Sequence, residues 1–325
     1  MMDMDLYSVT SGKLEEFVAE TIQPDAAYLD SCGAVVDRLV HFLQNNVPDR
    51  IRPARVVKGG SLGKGTAVKG KSDIDLTLIL ARYSEVEAMI HDMPSILHQL
   101  EQYLEKYGHV KVVGKTGHAV QVELSCHSGH THSVDILPAV DILPNMSEGI
   151  KARLGPVYHK LGQRNKKTRE FYSASLGPLQ IELTKRFPTK LKSLIRLIKY
   201  WKKSKLTVTK GSKLPTSYVF ELVVLNAWVD AGQPESFNMT RALHAVLNTV
   251  VNHRHFKVTF DRSLAYYDTA YPEKSPHIID PCNPYNDVYH GYFGNAWDWD
   301  DVATEASKWL RTQLFSGVSN TKRQW

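Results

Sequence analysis

Apolar residues recur three or four positions apart along most of this chain, which is the spacing of helices that bury one face. The pattern predicts helices over residues 11–22, 25–46, 83–107, 188–205, 213–228, 239–256 and 297–315. Pro94 lies inside the third of these stretches, so we expect that helix to kink or to divide there. Shorter runs rich in valine, isoleucine and leucine predict strands at 54–58, 73–80, 110–113, 120–124 and 133–138.

The order of these elements places the predicted strands in the first half of the chain and most helices in the second. This predicts an α+β fold of two lobes, because 325 residues are too many for one small core. We assign a lobe with the predicted strands to residues 1–155 and a helical lobe to residues 156–325. The polar stretch 145–178, with its basic run Q-R-N-K-K-T-R, is expected to be the crossing between the lobes.

Composition and cysteine usage indicate where such a protein would work. Hydrophobic residues make up 42% of the chain, as in ordinary globular proteins, yet no apolar run reaches the roughly 18 residues of a membrane span. The acidic start M-M-D-M-D-L does not fit a secretory signal, and the three cysteines are too far apart for a disulfide framework. We therefore expect a cytoplasmic protein, a nuclear one being compatible as well. The net charge of +6 permits polyanionic partners.

A glycine-rich loop followed by two acids is the strongest chemical feature of the sequence. The loop K-G-G-S-L-G-K-G covers residues 58–65, where glycines let the backbone turn tightly and approach a ligand. Gly60 and the hydroxyl-bearing Ser61 are the candidate phosphate-binding residues. Asp73 and Asp75 follow on the next strand, and side chains two apart in a strand face the same way. Such a carboxylate pair suits a hard cation such as Mg²⁺ that is shared with substrate phosphates.

The loop is not a Walker A motif, which requires a glycine, four residues and then Gly-Lys-Ser/Thr. Lys58 stands where the first glycine is needed, and Gly65 follows the pair Gly63-Lys64. Gly-Ser, a short spacer and Asp-x-Asp on a strand is instead typical of nucleotidyltransferases of the DNA polymerase beta type, whose two-metal site needs a third acid. Asp135 is our candidate, because it lies inside an apolar run where an unpaired carboxylate is costly to bury.

Three histidines have spacing that could bind a metal, namely His127, His130 and His132. No cysteine or histidine partner follows at zinc-finger spacing. We therefore favour a polar hairpin loop over residues 126–133.

Two features of the second half are candidate nucleotide contacts. Arg196 and Lys199 are three apart on the predicted helix 188–205 and are therefore neighbours on its surface. A charged helix face is usually only solvated, but beside a phosphate site this pair would form a clamp. The segment 213–228 is predicted to open a helix with Thr216 or Ser217 near its N-cap. Tyr218 then lies in the first turn, where its ring either stacks on a base or fills the core.

Together these segments resemble one family, the 2′-5′ oligoadenylate synthases. K-G-G-S-L-G-K-G-T-A-V-K-G-K-S-D-I-D-L resembles their nucleotide loop, and V-D-I-L-P-A-V-D resembles the segment with their third acid. R-F-P-T-K-L-K-S-L-I-R-L-I-K-Y-W resembles their lobe-spanning helix, and I-D-P-C-N-P with E-A-S-K-W-L resembles their C-terminal signature. The likeness covers nearly the whole chain in order. The chain is similar, more loosely, to the cyclic GMP-AMP synthase-like receptors.

The resemblance implies a bilobed nucleotidyltransferase fold, with a mixed β-sheet N-lobe, a helical C-lobe and the active site in the cleft. It also implies a role in antiviral nucleotide signalling. It implies that Asp73, Asp75 and Asp135 hold two Mg²⁺ ions. The nucleotide contacts that it implies are Gly60, Ser61, Arg196, Lys199, Ser217 and Tyr218. ATP would be donor and acceptor: a ribose 2′-OH attacks the α-phosphate of a second ATP, and pyrophosphate leaves.

The sequence departs from the vertebrate members at positions that bear on base choice and on RNA. Vertebrate members place a glutamine just before the tyrosine, where this chain has Ser217, so its base preference stays open. They are activated by double-stranded RNA, and three lysines here match their RNA contacts: Lys58, Lys64 and Lys185. Three other matching positions have lost the basic residue: Glu16, Gln44 and Ile181. Because phosphate contacts dominate RNA affinity, we expect RNA activation to be weak or absent.

Three interpretations follow from the sequence. An oligoadenylate synthase would need ATP alone, whereas a cyclic dinucleotide synthase would need ATP and GTP and would release a product without free ends. A catalytically inactive RNA-binding scaffold of the same fold is the third. Such scaffolds usually lack metal-binding acids, and all three acids are present here.

Overall fold

The computed structural model describes residues 5–71, 73–126, 129–145, 149–207, 211–291, 296–319, 321 and 325. Within these residues the α-helices are α1 (Leu14–Phe17), α2 (Ala26–Asn45), α3 (Gly60–Gly63), α4 (Val86–Tyr107), α5 (Ile150–Arg153), α6 (Gly155–Gly162), α7 (Lys166–Lys185), α8 (Thr189–Lys205), α9 (Ser217–Asp230), α10 (Met239–Val251) and α11 (Trp299–Leu310). The strands are β1 (Pro53–Lys58), β2 (Asp73–Leu80), β3 (Lys111–Lys115), β4 (Val120–Ser125), β5 (Thr131–Ala139), β6 (Lys257–Val258) and β7 (His277–Ile278).

The chain forms two compact units, which we call the sheet unit and the helical unit. The sheet unit is Pro24–Lys185, and the helical unit combines Met1–Gln23 with Arg186–Trp325. These boundaries differ from the predicted division at 155/156. The sheet unit extends to the end of α7 because this helix packs on β2 and β5, where the Val140 amide donates to the Ser175 hydroxyl at 3.1 Å.

A five-stranded sheet with the order β1-β2-β5-β4-β3 forms the core of the sheet unit. β2 and β5 are parallel and the other neighbours antiparallel, so the sheet is mixed, as predicted. Even-numbered residues of β2 and β5, such as Ile74 and Val134, are buried on the face that carries α2 and α4. The opposite face is half-buried at the start of β2 and becomes buried at Thr77, near Gly177 of α7. Because this face is only partly covered, side chains at the start of β2 are accessible to a ligand.

The polar stretch 145–178, for which the sequence predicts no helix, contains α5, α6 and more than half of α7. α7 buries Tyr172, Leu176, Leu179 and Leu183, which are four, three and four residues apart. That is a helical pattern, but Gly177-Pro178 interrupts it in the sequence. The helix accommodates the proline because tertiary packing against the sheet offsets the lost backbone hydrogen bond.

Two local predictions are also corrected. α4 runs through Pro94 as one helix, so the expected division there is wrong, whereas a kink at Pro94 stays a prediction. The polar hairpin loop is shorter than predicted, because β5 begins at Thr131 and includes His132. His132 is 1% exposed and lies 3.2 Å from the Cys32 sulfur, and the His130 ring packs edge-on against a tyrosine. Both histidines are therefore packing residues, whereas His127 lies outside the described residues.

Helices α8 to α11 form the core of the helical unit. α8 buries Leu191, Leu194, Ile195, Ile198 and Trp201, the face predicted from its spacing. Trp201 stacks on Trp309 of α11 with ring centroids 5.8 Å apart. The N-terminal segment joins this core through Tyr7, whose hydroxyl accepts from the Trp201 indole and donates to Glu305. No helix in the part of the chain that the structure describes is long and apolar enough to cross a membrane.

Candidate active site

Strand pairing brings the three predicted acids to one face of the sheet. Asp75 of β2 is the register partner of Asp135 on the parallel strand β5, and Asp73 lies two residues earlier on β2. All three are half-buried, whereas the neighbouring Ile74 and Val134 point into the core. The sequence placed Asp73 and Asp75 on one face, and the pairing of β2 with β5 adds the third acid beside them.

Asp135 lies in an environment that disfavours its negative charge. Burial raises the pKa of the Asp135 carboxyl, and the charge of Asp73 raises it further. A hydrogen bond from the Gln121 amide, at 3.0 Å, and the nearby His118 act in the opposite direction. A cation bound at these carboxylates would relieve both the burial cost and the repulsion.

The three acids fit a hard divalent cation by donor type. Among the described residues, no three His, Cys, Asp or Glu side chains are grouped as a complete metal site. Mg²⁺ does not require such a group, since it is usually bound by one or two carboxylates together with substrate phosphates and water. Adjacent strands that hold carboxylates in register supply this kind of ligand set.

The glycine-rich loop is docked directly on the acid-bearing strand. The Gly59 amide donates to the Asp75 carbonyl at 2.7 Å, and the Ser61 hydroxyl donates to the Asp73 carbonyl at 2.8 Å. Gly60 has a φ of +62°, and a Cβ there would lie 2.8 Å from the Asp73 carbonyl oxygen. Gly60 and Ser61 therefore fix the loop against the two acids, so that any phosphate bound by the loop lies close to them.

The two predicted clamp residues on α8 lie in different surroundings. Lys199 is 2% exposed, and its ammonium group forms an ion pair with Glu221 of α9, which is 7% exposed. Arg196 is half-buried, and burial lowers the pKa of its guanidinium group. The helix face is thus not merely solvated, which was the alternative considered from the sequence.

The buried ion pair predicts a stability difference between single and double variants. Glu221→Leu should lower the free energy of unfolding by about 3–5 kcal/mol, because it removes the carboxylate that forms an ion pair with the buried Lys199 ammonium group. Lys199→Met combined with Glu221→Leu should recover most of that loss. Urea unfolding measures both, with Glu182→Leu, which breaks the exposed Lys185–Glu182 pair, as a control that changes little. Equal effects of Glu221→Leu and Glu182→Leu would contradict this assignment.

Tyr218 is anchored to a buried turn of the helical unit. Its hydroxyl donates to the Asp280 carboxylate at 2.7 Å, and Asp280, 1% exposed, also accepts from the Cys282 amide and the Asn286 side chain. Asp280 belongs to the I-D-P-C-N-P segment, so this motif positions Tyr218. Ser217 is the first residue of α9 and is half-buried beside it.

Of the three lysines that match RNA contacts, two form ion pairs within the sheet unit and the third is buried. Lys58 forms an ion pair with Asp37 of α2, and Lys185 pairs with Glu182 at 2.6 Å. Lys64 is 8% exposed. An RNA phosphate would have to compete with carboxylates of the chain itself for two of these cations.

Sequence reasoning missed the partners of the site residues. Asp37, Glu221 and Gln121 lie far along the chain from the residues that they contact. The alternation V-Q-V-E-L of β4 is a signal that could have placed Gln121 on the polar face of a strand. Its position opposite Asp135 depends on strand register, which the pattern does not contain.

Comparison with known proteins agrees with this architecture. The family profile described as 2′-5′-oligoadenylate synthetase 1, domain 2, C-terminus, matches residues 153–325, and a nucleotidyltransferase domain profile matches residues 36–124. A rat 2′-5′-oligoadenylate synthase 1A is 30% identical over 97% of this chain and 93% of its own length. A rat protein named inactive 2′-5′-oligoadenylate synthase 1B is 28% identical over 97% of this chain and 88% of its own length.

A solved structure of CdnC from E. coli MS115-1 with ATP shares the fold. Its TM-score is 0.60 at 19% identity, with 92% of this chain and 89% of that chain covered. The three acids therefore lie on the sheet of a bilobed nucleotidyltransferase fold, in a chain whose C-terminal half matches one specific family. The chain is a nucleotidyltransferase that belongs to the 2′-5′ oligoadenylate synthase family.

Proposed function

We propose that this protein makes 2′-5′ linked oligoadenylates from ATP. A ribose 2′-oxygen forms a bond to the α-phosphorus of the donor ATP, the bond from that phosphorus to the β-phosphate oxygen breaks, and pyrophosphate leaves. The observation that supports this most is the register of Asp75 with Asp135, with Asp73 on the same face and the glycine-rich loop docked on their strand. The product would serve as a signal in innate antiviral defence.

Each candidate residue has a role in the proposed reaction. Asp73, Asp75 and Asp135 would hold two Mg²⁺ ions, which when bound neutralise the triphosphate and favour in-line displacement. Asp135 would also take the proton of the attacking hydroxyl, because a carboxylate held on the side of the attacking group can act as its general base. Gly60 and Ser61 would hold the donor phosphates close to these acids. Positioning and charge neutralisation would supply most of the rate.

Residues of the helical unit would bind the rest of the donor. Arg196 and Lys199 would hold the triphosphate, and Ser217 and Tyr218 would lie by the base. Lys199 forms an ion pair with Glu221, so the negative charge of Glu221 offsets part of the positive charge of Arg196 and Lys199. The pair therefore attracts a triphosphate less strongly than two isolated cations would. We therefore infer that Arg196 contributes more to triphosphate affinity than Lys199.

Ser217 supports a second candidate, a cyclic dinucleotide synthase that uses ATP and GTP. Its short hydroxyl stands where vertebrate family members have a glutamine beside the donor adenine. The test incubates purified protein with Mg²⁺ and labelled ATP, with and without GTP. A ladder of products from ATP alone supports the oligoadenylate synthase. A single phosphatase-resistant product that requires GTP supports the cyclic dinucleotide synthase.

We further propose that double-stranded RNA is a weak or dispensable activator. The support is that Lys58 and Lys185 are already paired with carboxylates and that three basic positions of the family are lost. A cytoplasmic location, with a nuclear one also compatible, is proposed on the cysteines, since Cys32, Cys126 and Cys282 are all free thiols.

The pairing of Lys58 with Asp37 predicts a gain of RNA binding on removal of the acid. Asp37→Asn should raise affinity for a 20-base-pair duplex several-fold at low salt, because it frees one cation for a phosphate. The slope of log affinity against log salt should steepen by about 0.9, the value for one added phosphate contact. Fluorescence anisotropy over a salt series measures both. Asp30→Asn, an equal charge change on an exposed residue of α2, is the control, and identical behaviour of the two variants would contradict the prediction.

A further inference from the structure

Four residues on four neighbouring strands form one row across the sheet. Gly114 of β3 is the register partner of Gln121 on β4, Gln121 is the partner of Asp135 on β5, and Asp135 is the partner of Asp75 on β2. Register partners on adjacent strands point to the same face. The row therefore leads from a glycine, through an amide, to two of the three acids of the candidate active site.

Gln121 holds one oxygen of the Asp135 carboxylate. Its amide nitrogen donates to Asp135 Oδ1 at 3.0 Å, which leaves Oδ2 to other partners. The terminal torsion of an aspartate is broad and roughly two-fold, so a fixed donor selects one orientation of the group. The same hydrogen bond favours the ionised carboxylate and counteracts the effect of burial on the pKa of Asp135.

Gly114 lies beside Gln121 at an irregularity of the sheet. The pairing of β3 with β4 shifts register between Val112 and Gly114, which is a bulge. A Cβ at Gly114 would lie 3.4 Å from Gln121 Oε1, which is a van der Waals distance, so the amide oxygen lies on the Gly114 side while the nitrogen donates to Asp135. Bulges often occur beside active sites, where they re-aim a side chain.

We propose that Gln121 is a positioning residue for the reaction, which orients the Asp135 carboxylate toward the catalytic metal and the attacking hydroxyl. The inference rests on the proposed role of Asp135. Hydrogen-bond partners of metal-binding carboxylates typically matter about 10–100-fold in metal affinity or activity when they are removed. Gln121 itself need not touch ATP or the metal.

The test uses the full chain with Gln121→Met, which keeps the length of the side chain but cannot donate, and Gln121→Asn, which keeps the amide but is too short to reach. Both should lower kcat about tenfold or more while KM for ATP changes less than twofold. Both should also weaken Mn²⁺ binding in the absence of nucleotide, followed by electron paramagnetic resonance. Glu123→Met, on the same face of β4 two residues further on, is the matched control and should leave both values unchanged.

A purely structural role for Gln121 would lower the melting temperature while leaving kcat per folded molecule and Mn²⁺ affinity unchanged, and that result would overturn the inference. An effect on KM alone would also overturn it, because the residue would then act on substrate affinity. The proposed function is tested separately by Asp75→Asn. If that variant is inactive and Gln121→Met is normal, only the positioning role fails. If Asp75→Asn is fully active, the assignment of the acids fails as well.

Discussion

Asp75→Asn should reduce the transfer of AMP by about a thousandfold or more while the protein stays folded. The register of Asp75 with Asp135 makes it the central carboxylate of the three. Metal-assisted charge stabilisation supplies several kcal/mol to such reactions, and each 1.36 kcal/mol is a factor of ten in rate. The substitution replaces a charged metal ligand with a neutral amide of nearly the same shape. Product formation from labelled ATP, with circular dichroism as the check of folding, measures the effect.

Asp141→Asn is the matched control for this variant. Asp141 lies in the same V-D-I-L-P-A-V-D segment as Asp135, but it is exposed and pairs with Arg55 at 3.3 Å. We expect its activity to stay within a factor of two of the unmodified protein. Undiminished turnover by Asp75→Asn would show that the acids do not perform the reaction and would remove the proposed mechanism. The activity measurement on Asp75→Asn is needed because one relative of this chain is named an inactive synthase, so family membership alone does not establish turnover.

Gly63→Ala should have the second largest effect, because there is no room for a side chain at this position. A Cβ on Gly63 would lie 2.1 Å from the Lys58 carbonyl oxygen, which belongs to the backbone of β1 and cannot rotate away. The Gly63 amide also donates to the Gly59 carbonyl at 3.0 Å, so the loop must open to accept the methyl group. A displacement of about 1 Å at such a site can cost a hundredfold, so we expect kcat/KM to fall by about that factor.

Gly33→Ala is the control for Gly63→Ala. Gly33 lies in the middle of α2, where a methyl group would meet no atom within 4 Å outside the helix's own backbone, and its φ is not positive. Alanine there should preserve activity and stabilise the helix by up to about 1 kcal/mol. Steady-state kinetics and thermal melts on both variants separate the two cases. Normal kinetics for Gly63→Ala would contradict the close docking of the loop on the acid strand.

The sequence predicted those parts of the protein whose interactions are local. The helices α2 and α8 and the strand β2 agree with expectation, because each has a clear period of apolar residues or a β-branched run. The mixed character of the sheet was implied by the family resemblance and is confirmed. The third acid was also predicted, since a carboxylate within an apolar run needs a partner. α7 was missed because Gly177-Pro178 interrupts a pattern that packing on the sheet makes helical.

The contacts of the site residues were not predictable because they depend on strand register and on packing between distant segments. Asp37 neutralises Lys58 across 21 positions, and Glu221 pairs with Lys199 across 22. Gln121 meets Asp135 only through the pairing of β4 with β5. Period and composition describe one segment at a time, whereas these contacts join two. They nevertheless change the chemistry, since they determine which charges are available to a nucleotide or to RNA.

The most direct measurement of the central claim is the linkage of the product. Purified protein is incubated with Mg²⁺ and labelled ATP without RNA, and the products are treated with a nuclease specific for 3′-5′ bonds, with the Asp75→Asn protein as the blank. The account predicts a ladder of oligoadenylates that resists this nuclease and is absent from the blank. A ladder that the nuclease degrades, or a product that requires GTP and has no free ends, would contradict it.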